Sequence, residues 1–225
     1  MAENTHHSTH EKWVRYQNRA AYATLNRQGP DTHTVWVAFH GIGYLARYFL
    51  RHFKTLPRER HYLIAPQAPS LYYLSETYTH VGACWLTREH TGEHMGNLLG
   101  YLDQVAQEEA LEEAPSLCLM GYSQGVSVLC RWVAYGKRQC DTLVLYAGRV
   151  PEELGPSDFD HLPETTRVVL VYGTQDPYIP EENVPGLLER YRVLFGNRLQ
   201  VLTFEGGHEM KEAVIEQIAR IHGST

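Results

Sequence analysis

Six short apolar runs separated by longer segments constrain this chain more than any other feature. The runs are residues 35–39, 61–65, 117–121, 143–146, 168–172 and 199–204. Continuous apolar runs of this length are typical of strands that are buried on both faces of a sheet. Helices are predicted at residues 44–53, 96–109, 126–135, 184–195 and 209–221. The alternation indicates an α/β fold, with a mostly parallel central sheet and helices on both faces.

Two weakly alternating segments precede the first run. Residues 12–17 and 20–25 predict an antiparallel hairpin at the sheet edge, with Asn18 and Arg19 at its turn. No internal repeat or Pro/Gly-rich linker marks a domain boundary, and 225 residues suit one α/β domain. We therefore expect a single domain over residues 1–225, in which residues 1–10 are flexible.

The charge balance excludes several classes of partner. There are 20 basic and 26 acidic residues, giving a formal net charge of −6, so the chain lacks the basic surface that nucleic acid or anionic lipid attracts. No run approaches 18 apolar residues, and residues 1–16 carry no apolar secretory segment. We expect no partner nucleic acid, no stable membrane insertion and a cytoplasmic location. The four cysteines form no Cys-x-x-Cys pair, which predicts buried thiols and no metal site.

A candidate nucleophile lies between the third apolar run and a predicted helix. Gly121-Tyr122-Ser123-Gln124-Gly125 matches Gly-x-Ser-x-Gly, in which flanking glycines allow a tight strand-to-helix turn that exposes the serine hydroxyl. The buried run before it and the amphipathic segment after it provide the context that this motif requires. A glycine-rich turn without chemistry is the alternative. The motif predicts that Ser123 is a nucleophile.

A serine needs a base, and in this architecture the partners follow it in the order acid, then histidine. There are 13 histidines, of which only His208 and His222 come late enough in the chain. His222 lies in the predicted terminal helix, whereas His208 follows the last predicted strand after Gly206 and Gly207. A loop that leads into a helix cap is the alternative interpretation. Sequence order therefore favours His208 as the base.

The acid must lie between Ser123 and His208, and four aspartates do: Asp141, Asp158, Asp160 and Asp176. Residues in open α/β sheets act from the carboxyl ends of strands, and Asp141 begins a strand, so it lies at the wrong edge. Asp176 follows the run 168–172 in Gly-Thr-Gln-Asp-Pro, at a carboxyl end. Asp-Pro is also a common turn pair. Position nevertheless favours Asp176 as the acid.

Attack on a carbonyl produces an oxyanion, which requires hydrogen-bond donors already in place. In this architecture the donors are the amide after the nucleophile and an amide from the loop after an early strand. Gln124 provides the first. The loop His40-Gly41-Ile42-Gly43 follows the first buried run, and Ile42 is the predicted second donor. We expect His40 to position this loop rather than transfer protons, and a plain turn at residues 40–43 is the alternative.

The chain from residue 35 onward resembles the phospholipase/carboxylesterase family of α/β-hydrolases, which includes acyl-protein thioesterases and small bacterial carboxylesterases. The matching segments are His40-Gly41-Ile42-Gly43, Ala65-Pro66-Gln67-Ala68-Pro69, Cys84-Trp85-Leu86, Gly121-Tyr122-Ser123-Gln124-Gly125, residues 173–180 and Gly207-His208. Three positions depart from the family pattern. Tyr44 stands where the family usually has Asp, Leu86 where it has Phe, and Tyr172 where it has His.

The resemblance implies an α/β-hydrolase fold and a serine esterase that cleaves a small-molecule acyl ester or thioester. His208 would take the proton of Ser123 while Asp176 holds the histidine tautomer, and no metal or organic cofactor is needed. For the acyl pocket we expect apolar walls from Trp85, Leu74, Tyr178 and Ile179. A chain of this length leaves little room for a large cap domain. Homodimerisation, acyl-chain length and leaving group stay open.

Two rival functions come from other classes. His90-Thr91-Gly92-Glu93-His94 matches H-x-x-E-H, which on a helix can present two zinc ligands and a general base. Gly92 weakens that helix and no third ligand is identifiable, so a solvent-exposed helix start is the better interpretation. The second rival is an inactive α/β-hydrolase that serves as a binding protein. Such a protein is expected to have lost at least one member of the Ser123, Asp176 and His208 set.

Overall fold

A computed structural model describes residues 9–223 of the chain. The strands are β1 (Tyr22–Leu25), β2 (Thr34–Phe39), β3 (His61–Pro66), β4 (Ser70–Tyr73), β5 (Val81–Cys84), β6 (Leu117–Tyr122), β7 (Thr142–Tyr146), β8 (Arg167–Gly173) and β9 (Leu199–Phe204). The helices are α1 (Ala46–Phe49), α2 (Thr91–Glu108), α3 (Gln124–Gly136), α4 (Val184–Phe195) and α5 (Glu212–His222). Short 3₁₀ turns occur at Leu50–Phe53, Leu111–Glu113, Pro156–Asp158, Glu181–Asn183 and Gly196–Arg198.

Seven strands form one sheet in the order β1-β3-β2-β6-β7-β8-β9. Every pair is parallel except β1 with β3, which is antiparallel. The helices α2, α3 and α4 cover one face, and α1 and α5 cover the other. Strands β2, β6, β7 and β8 are buried almost throughout, because both of their faces carry a helix layer. The predicted mostly parallel α/β fold is confirmed, and all six predicted strands form. The prediction that residues 199–204 are buried is wrong, because β9 is an edge strand that pairs only with β8 and none of its residues is buried.

The predicted edge hairpin is wrong. Residues 9–20 form no strand, and only Tyr22–Leu25 joins the sheet, by pairing with β3. The free edge of β3 accepts one strand, and the side chains that the earlier segment would have offered, such as Trp13 and Val14, stay exposed. Of the residues expected to be flexible, 1–8 lie outside the described part of the chain.

The helix predictions are confirmed with shifted ends. α4 has the predicted bounds, α2 begins earlier than predicted, and residues 44–53 form only one α-helical turn followed by a 3₁₀ turn. A second, two-stranded sheet of β4 and β5 was not predicted. The four cysteines are buried and free, as expected. No helix within residues 9–223 is long and apolar enough to span a bilayer.

The register aligns the carboxyl ends of the central strands. Phe39 pairs with Gly121, and Tyr122 pairs with Tyr146, so the loops after β2, β6 and β7 leave the sheet side by side. The chain leaves β2 toward β3 on one side, while β6 lies on the other side. A crevice forms at such a switch point in open α/β sheets, and ligands bind there. The topology therefore selects this edge as the place to look for a site.

A histidine network closes the opposite edge of the sheet. His222 Nδ1 lies 2.8 Å from Thr142 Oγ1, and its Nε2 lies 2.9 Å from Ser116 Oγ. Next to it, Trp36 Nε1 donates to His61 Nδ1 at 3.1 Å. Burial lowers the pKa of His222, and burial together with neighbouring positive charge lowers the pKa of His61 to about 4. Both histidines are therefore neutral in the folded protein at pH 7.

Acidification should destabilise the fold through these histidines. The unfolded chain takes up protons below about pH 6.5, whereas folded His61 does so only near pH 4, so stability is full above 6.5 and is lost toward 4. We expect His61→Asn, which keeps an acceptor for Trp36 but cannot titrate, to reduce the loss between pH 7 and pH 5 by about 1 kcal/mol, because His61 is half-buried and solvent screens part of the effect. Urea unfolding at each pH measures this. His94→Gln, at an exposed histidine, is the control; an unchanged pH slope in His61→Asn would contradict the assignment.

Candidate active site

The turn between β6 and α3 holds Ser123 in a strained conformation. Its φ of 54° and ψ of −120° are rarely adopted by a residue with a side chain. The turn is tight because glycines surround it: a Cβ on Gly121 would lie 2.6 Å from the backbone of Val126, and one on Gly125 would lie 2.8 Å from the carbonyl of His40. The strain lifts the serine side chain above the sheet edge, where it is half-buried.

Three side chains that are far apart in sequence form one chain of hydrogen bonds. His208 Nε2 lies 2.9 Å from Ser123 Oγ, and His208 Nδ1 lies 2.8 Å from Asp176 Oδ2. Because Asp176 is a buried carboxylate acceptor, this network assigns the imidazole proton to Nδ1 and leaves Nε2 free to accept from the serine. The structure thus brings together the three residues selected from sequence order, each after a different strand.

Further contacts hold the acid and the histidine in place. Asp176 Oδ1 accepts the amide of Tyr178 at 2.9 Å, so both carboxylate oxygens have donors. The ring of Tyr178 meets the ring of His208 edge-on at 4.7 Å. On the other side, Tyr122 stacks on His208 at 5.3 Å and donates its hydroxyl to the His208 carbonyl at 3.0 Å. Tyr122 therefore positions His208, a role that the sequence interpretation missed although the residue lies within Gly-x-Ser-x-Gly.

The loop after β2 runs beside the serine and is fixed by His40. A Cβ on Gly41 would lie 3.2 Å from Cβ of Ser123, which places the next peptide, that of Ile42, at the site. His40 is fully buried, and burial lowers its pKa to about 4. Its Nε2 accepts the amide of Ala68 at 3.1 Å, and its Nδ1 lies 2.8 Å from the Gly41 carbonyl. Neutral His40 thus ties this loop to the segment after β3, as predicted for a positioning residue.

Two backbone amides are available for an anion at the site. Within residues 9–223, neither Ile42 N–H nor Gln124 N–H donates to another protein atom. Gln124 is the first residue of α3, where amides have no partner within the helix. Both positions match those predicted for oxyanion donors. At a helix N-terminus the Gln124 amide also carries the positive end of the helix dipole.

The side chain of Gln124 holds the second sheet against the site. Its Oε1 accepts the amide of Trp85 at 3.0 Å, and its Nε2 donates to the carbonyl of Leu86 at 2.8 Å. The Trp85 indole donates to the His40 carbonyl at 2.7 Å. The carbonyl of Ala83, on β5 of the same small sheet, accepts the amide of Gly43 at 2.8 Å. The β4–β5 hairpin therefore supports both predicted oxyanion donors, and no local sequence pattern indicates this.

Of the four predicted pocket residues, two lie at the surface and two in the core. Tyr178 is exposed beside His208, and half-exposed Leu74 contacts the loop at Gly43. Trp85 is 1% exposed and packs on Phe39 and His40, so it supports the site from behind and forms no open wall. Ile179 is also buried. The prediction of Trp85 as a pocket wall is wrong, because its indole N–H donates to the buried carbonyl of His40 and this holds the ring in the core.

The zinc interpretation of His90, Glu93 and His94 finds no geometric support. His90 precedes α2 in a left-handed conformation, and its side chain lies 3.3 Å from Glu11 and against Trp13. Among residues 9–223 no group of three or more His, Cys, Asp or Glu side chains could hold a metal ion.

A second serine–histidine pair, Ser116 with His222, lies at the opposite edge of the sheet. There Ser116 Oγ donates to Asp141 Oδ2 at 2.9 Å, so the serine satisfies a carboxylate directly. The histidine bridges two hydroxyls and receives no carboxylate at its second nitrogen. This pair is a structural network and a useful internal control for the pair at Ser123.

Comparisons with known proteins agree with this geometry. A family model described as "Serine hydrolase (FSH1)" matches residues 57–211. Solved structures with the same fold include acyl-protein thioesterase 2 from Zea mays (17% identity, 90% of this chain and 97% of that chain, TM-score 0.66). Another is a phospholipase/carboxylesterase from Dyadobacter fermentans (16% identity, 92% of this chain and 98% of that chain, TM-score 0.65). A third is the Bacillus cereus carboxylesterase (16% identity, 90% of this chain and 93% of that chain, TM-score 0.65). No curated protein matches.

At these identities the solved structures establish the fold. The α/β-hydrolase fold that the sequence resemblance implied is confirmed, and residues 9–223 contain no cap domain. The structures that share it include proteins named as phospholipase/carboxylesterase and acyl-protein thioesterase, as the resemblance indicated.

The glycine at the start of α3 provides a test of the strained turn. Gly125→Ala should destabilise the fold by about 3 kcal/mol or more, because the new methyl group would overlap the backbone of Phe39 and His40. Gly100→Ala is the matched control: this helical glycine in α2 has open space, and alanine there should stabilise by up to about 1 kcal/mol. Chemical denaturation measures both. Equal stability of the two variants would show that the turn is not constrained in this way.

Proposed function

The chain belongs to the serine hydrolase (FSH1) family, and from that premise we propose that it hydrolyses carboxylic esters or thioesters through an acyl-enzyme on Ser123. The observation that carries the proposal is the unbroken series of hydrogen bonds from Asp176 through His208 to Ser123, with distances of 2.8 and 2.9 Å. A nucleophile, a base in reach of it and a third group that orients the base are what activation of a hydroxyl requires.

In the first half of the reaction, Ser123 Oγ attacks the substrate carbonyl while His208 Nε2 takes its proton. The carboxylate of Asp176 stabilises the imidazolium that forms and keeps the proton at Nδ1. His208 then gives the proton to the departing alcohol or thiol, so the leaving group departs neutral and the acyl group stays on Ser123. Stacking by Tyr122 and the edge contact of Tyr178 favour the productive ring orientation.

The amides of Ile42 and Gln124 are the proposed donors to the tetrahedral oxyanion. Donors that are fixed before the reaction stabilise the developing charge without reorganisation, and loss of one such donor typically costs about 10²–10³ in kcat. The Ile42 loop is held in place by the hydrogen bonds of His40 with Gly41 and of Gly43 with β5. Gln124 is held in place by its side-chain hydrogen bonds to Trp85 and Leu86.

The second half reverses the first with water as nucleophile. His208 takes a proton from water, the hydroxide oxygen attacks the acyl carbon, and Ser123 recovers its proton as the carboxylic acid is released. Every proton in this cycle moves between Ser123, His208, water and the leaving group. The chemistry is complete with side chains and backbone amides, so the proposal includes no metal or organic cofactor.

The proposed substrates are small acyl esters or thioesters. Exposed Leu74 lies against the loop at Gly43, and exposed Tyr178 lies against His208. Apolar walls of this kind retain an acyl chain. Structural relatives named as acyl-protein thioesterase and carboxylesterase make both leaving groups, thiol and alcohol, reasonable to test.

Replacement of the nucleophile tests the proposal. Wild type should be labelled covalently by a fluorophosphonate and should hydrolyse 4-nitrophenyl esters, whereas Ser123→Ala should lose labelling and at least about 10⁴-fold in kcat. Ser116→Ala is the matched control, since it also removes a hydroxyl that is hydrogen-bonded to a histidine and should keep both signals. Wild-type turnover in Ser123→Ala, or activity lost to a chelator and restored by zinc, would overturn the proposal.

A series of acyl chain lengths separates the substrate classes. Because Leu74 and Tyr178 offer exposed apolar surface next to the Gly43 loop and next to His208, kcat/KM should rise from C2 toward C8 in 4-nitrophenyl esters and in matched thioesters. Leu74→Ser should flatten this rise. A strong preference for C2 to C4 would argue against a role on long-chain lipid or acyl-protein substrates.

A further inference from the structure

A groove of about 430 Å³ opens beside the Asp176 loop. One wall is the chain after β7 and the other is the first turns of α4. The lining residues are Arg149, Val150, Pro151, Glu152, Ile179, Asn183, Gly186, Leu187 and Arg190. The two arginines of this set, Arg149 and Arg190, take no part in the proposed acyl transfer.

Both walls of the groove are attached to the site. Gly148 packs against Val126 and the Ser123 carbonyl, and Arg149 is the next residue. Arg149 Nη2 donates to the Tyr178 carbonyl at 3.0 Å, and the Tyr178 ring contacts His208. The groove is therefore linked to the proposed catalytic residues by two short series of contacts, one through Gly148 to Ser123 and one through Tyr178 to His208.

The groove combines an apolar floor with two guanidinium groups. Val150 and Ile179 are buried beneath it. Arg190 donates to the carbonyls of Val150 at 2.9 Å and Pro151 at 2.6 Å, which fixes its side chain along the wall. Within residues 9–223, neither Arg149 nor Arg190 has a carboxylate within 4.0 Å.

The acidic residues near the groove leave its charge positive. Glu152 is the one carboxylate in the lining, and Glu181 and Glu182 lie on the short turn just before Asn183 without lining the groove. The first turn of α4 also presents its positive dipole end here. In a chain with a net charge of −6, the lining of this groove therefore carries two guanidinium groups and one carboxylate.

We propose that this groove binds a carboxylate carried by the substrate, so that the enzyme prefers acyl esters or thioesters bearing a negative charge a few bonds from the reacting carbonyl. A guanidinium binds carboxylate through paired, charge-assisted hydrogen bonds, and the apolar floor accepts the methylenes between the two groups. The inference rests on the proposed function, because it assigns the substrate class of the same site.

The test compares selectivity ratios, since these are insensitive to overall loss of activity. The carboxylate can lie on the acyl chain, as in 4-nitrophenyl hydrogen adipate, or on the leaving group, as in 5-hexanoyloxy-2-nitrobenzoate. The neutral reference for both is 4-nitrophenyl hexanoate. We expect wild type to favour at least one anionic ester in kcat/KM, and the one that is favoured shows which side of the substrate enters the groove.

Arg149→Gln should lower that ratio about tenfold or more, the size expected when a hydrogen bond to a charged group is lost. Arg149→Lys, which keeps the charge, should recover part of it. Gln and Lys both keep an N–H donor for the Tyr178 carbonyl, so a loss in Arg149→Gln that Arg149→Lys recovers follows the charge and not that hydrogen bond. Arg192→Gln is the matched control, because it removes an exposed arginine of α4 outside the groove and should leave the ratio unchanged. Either result, no preference for an anionic ester in wild type or an unchanged ratio in Arg149→Gln, would overturn the inference.

A binding measurement keeps this test independent of turnover. Monoethyl adipate should bind to the Ser123→Ala protein, and Arg149→Gln in that background should weaken its Kd about tenfold. Fluorophosphonate labelling and hexanoate turnover of the same wild-type preparation report on the proposed function alone. Failure of those two signals with adipate binding intact would remove the esterase but not the groove, whereas the reverse pattern would remove the groove only.

Discussion

The strained backbone at Ser123 is the constraint on which the rest of the site depends. A residue with a side chain adopts φ of 54° only when its surroundings over-determine it. Here the surroundings are three glycines, Gly121, Gly125 and Gly148, each of which allows another backbone or side chain to approach closer than a Cβ would permit. The central sheet supplies the rigidity: β6 is paired on both sides, and the amide of Ser123 itself donates to Tyr146 on β7 at 2.9 Å.

The 13 histidines show how environment divides one residue type into separate roles. His40, fully buried, has its pKa lowered to about 4 and is neutral at pH 7, so about 3 kcal/mol of stability is lost as the pH falls from about 6.5 to below 4, where the unfolded chain takes up the proton first. His61 and His222 are likewise held neutral at the opposite sheet edge. His208 differs in its partners: a buried carboxylate on one nitrogen and a half-exposed hydroxyl on the other. Geometry, rather than residue type, distinguishes the proposed base from the structural histidines.

Much of the fold follows from sequence because its signals are local. The buried strands are continuous apolar runs, and two glycines at fixed spacing around Ser123 predict the tight turn. Chain order and strand ends were enough to select Asp176 and His208, because parallel strands bring their carboxyl ends to one edge. The β4–β5 hairpin was not predicted, since residues 71–80 are exposed and show no alternation of apolar and polar positions.

Long-range contacts explain the rest of what sequence did not reveal. Gln124 and Trp85 are 39 residues apart, and only folding shows that their hydrogen bond joins the hairpin to the start of α3. The hydrogen bond from the Trp85 indole to the His40 carbonyl, 45 residues away, explains why Trp85 is in the core although its motif suggested a pocket wall. The charge of the groove that Arg149 and Arg190 line could not be predicted from the sequence either. It depends on which carboxylates lie near these arginines in the folded chain.

The two strands of the small sheet have different relations to the site. The inner strand β5 and the residues after it carry every hairpin bond to Gly43, Gln124 and His40, while β4 is exposed along its whole length. Substitutions on β4 and the connecting turn can therefore change the surface that a substrate meets first without moving the groups proposed to do the chemistry. The outer strand of the hairpin can therefore vary in sequence while β5 keeps the site in place. Differences in substrate range among related chains would be concentrated on β4 and the turn that follows it.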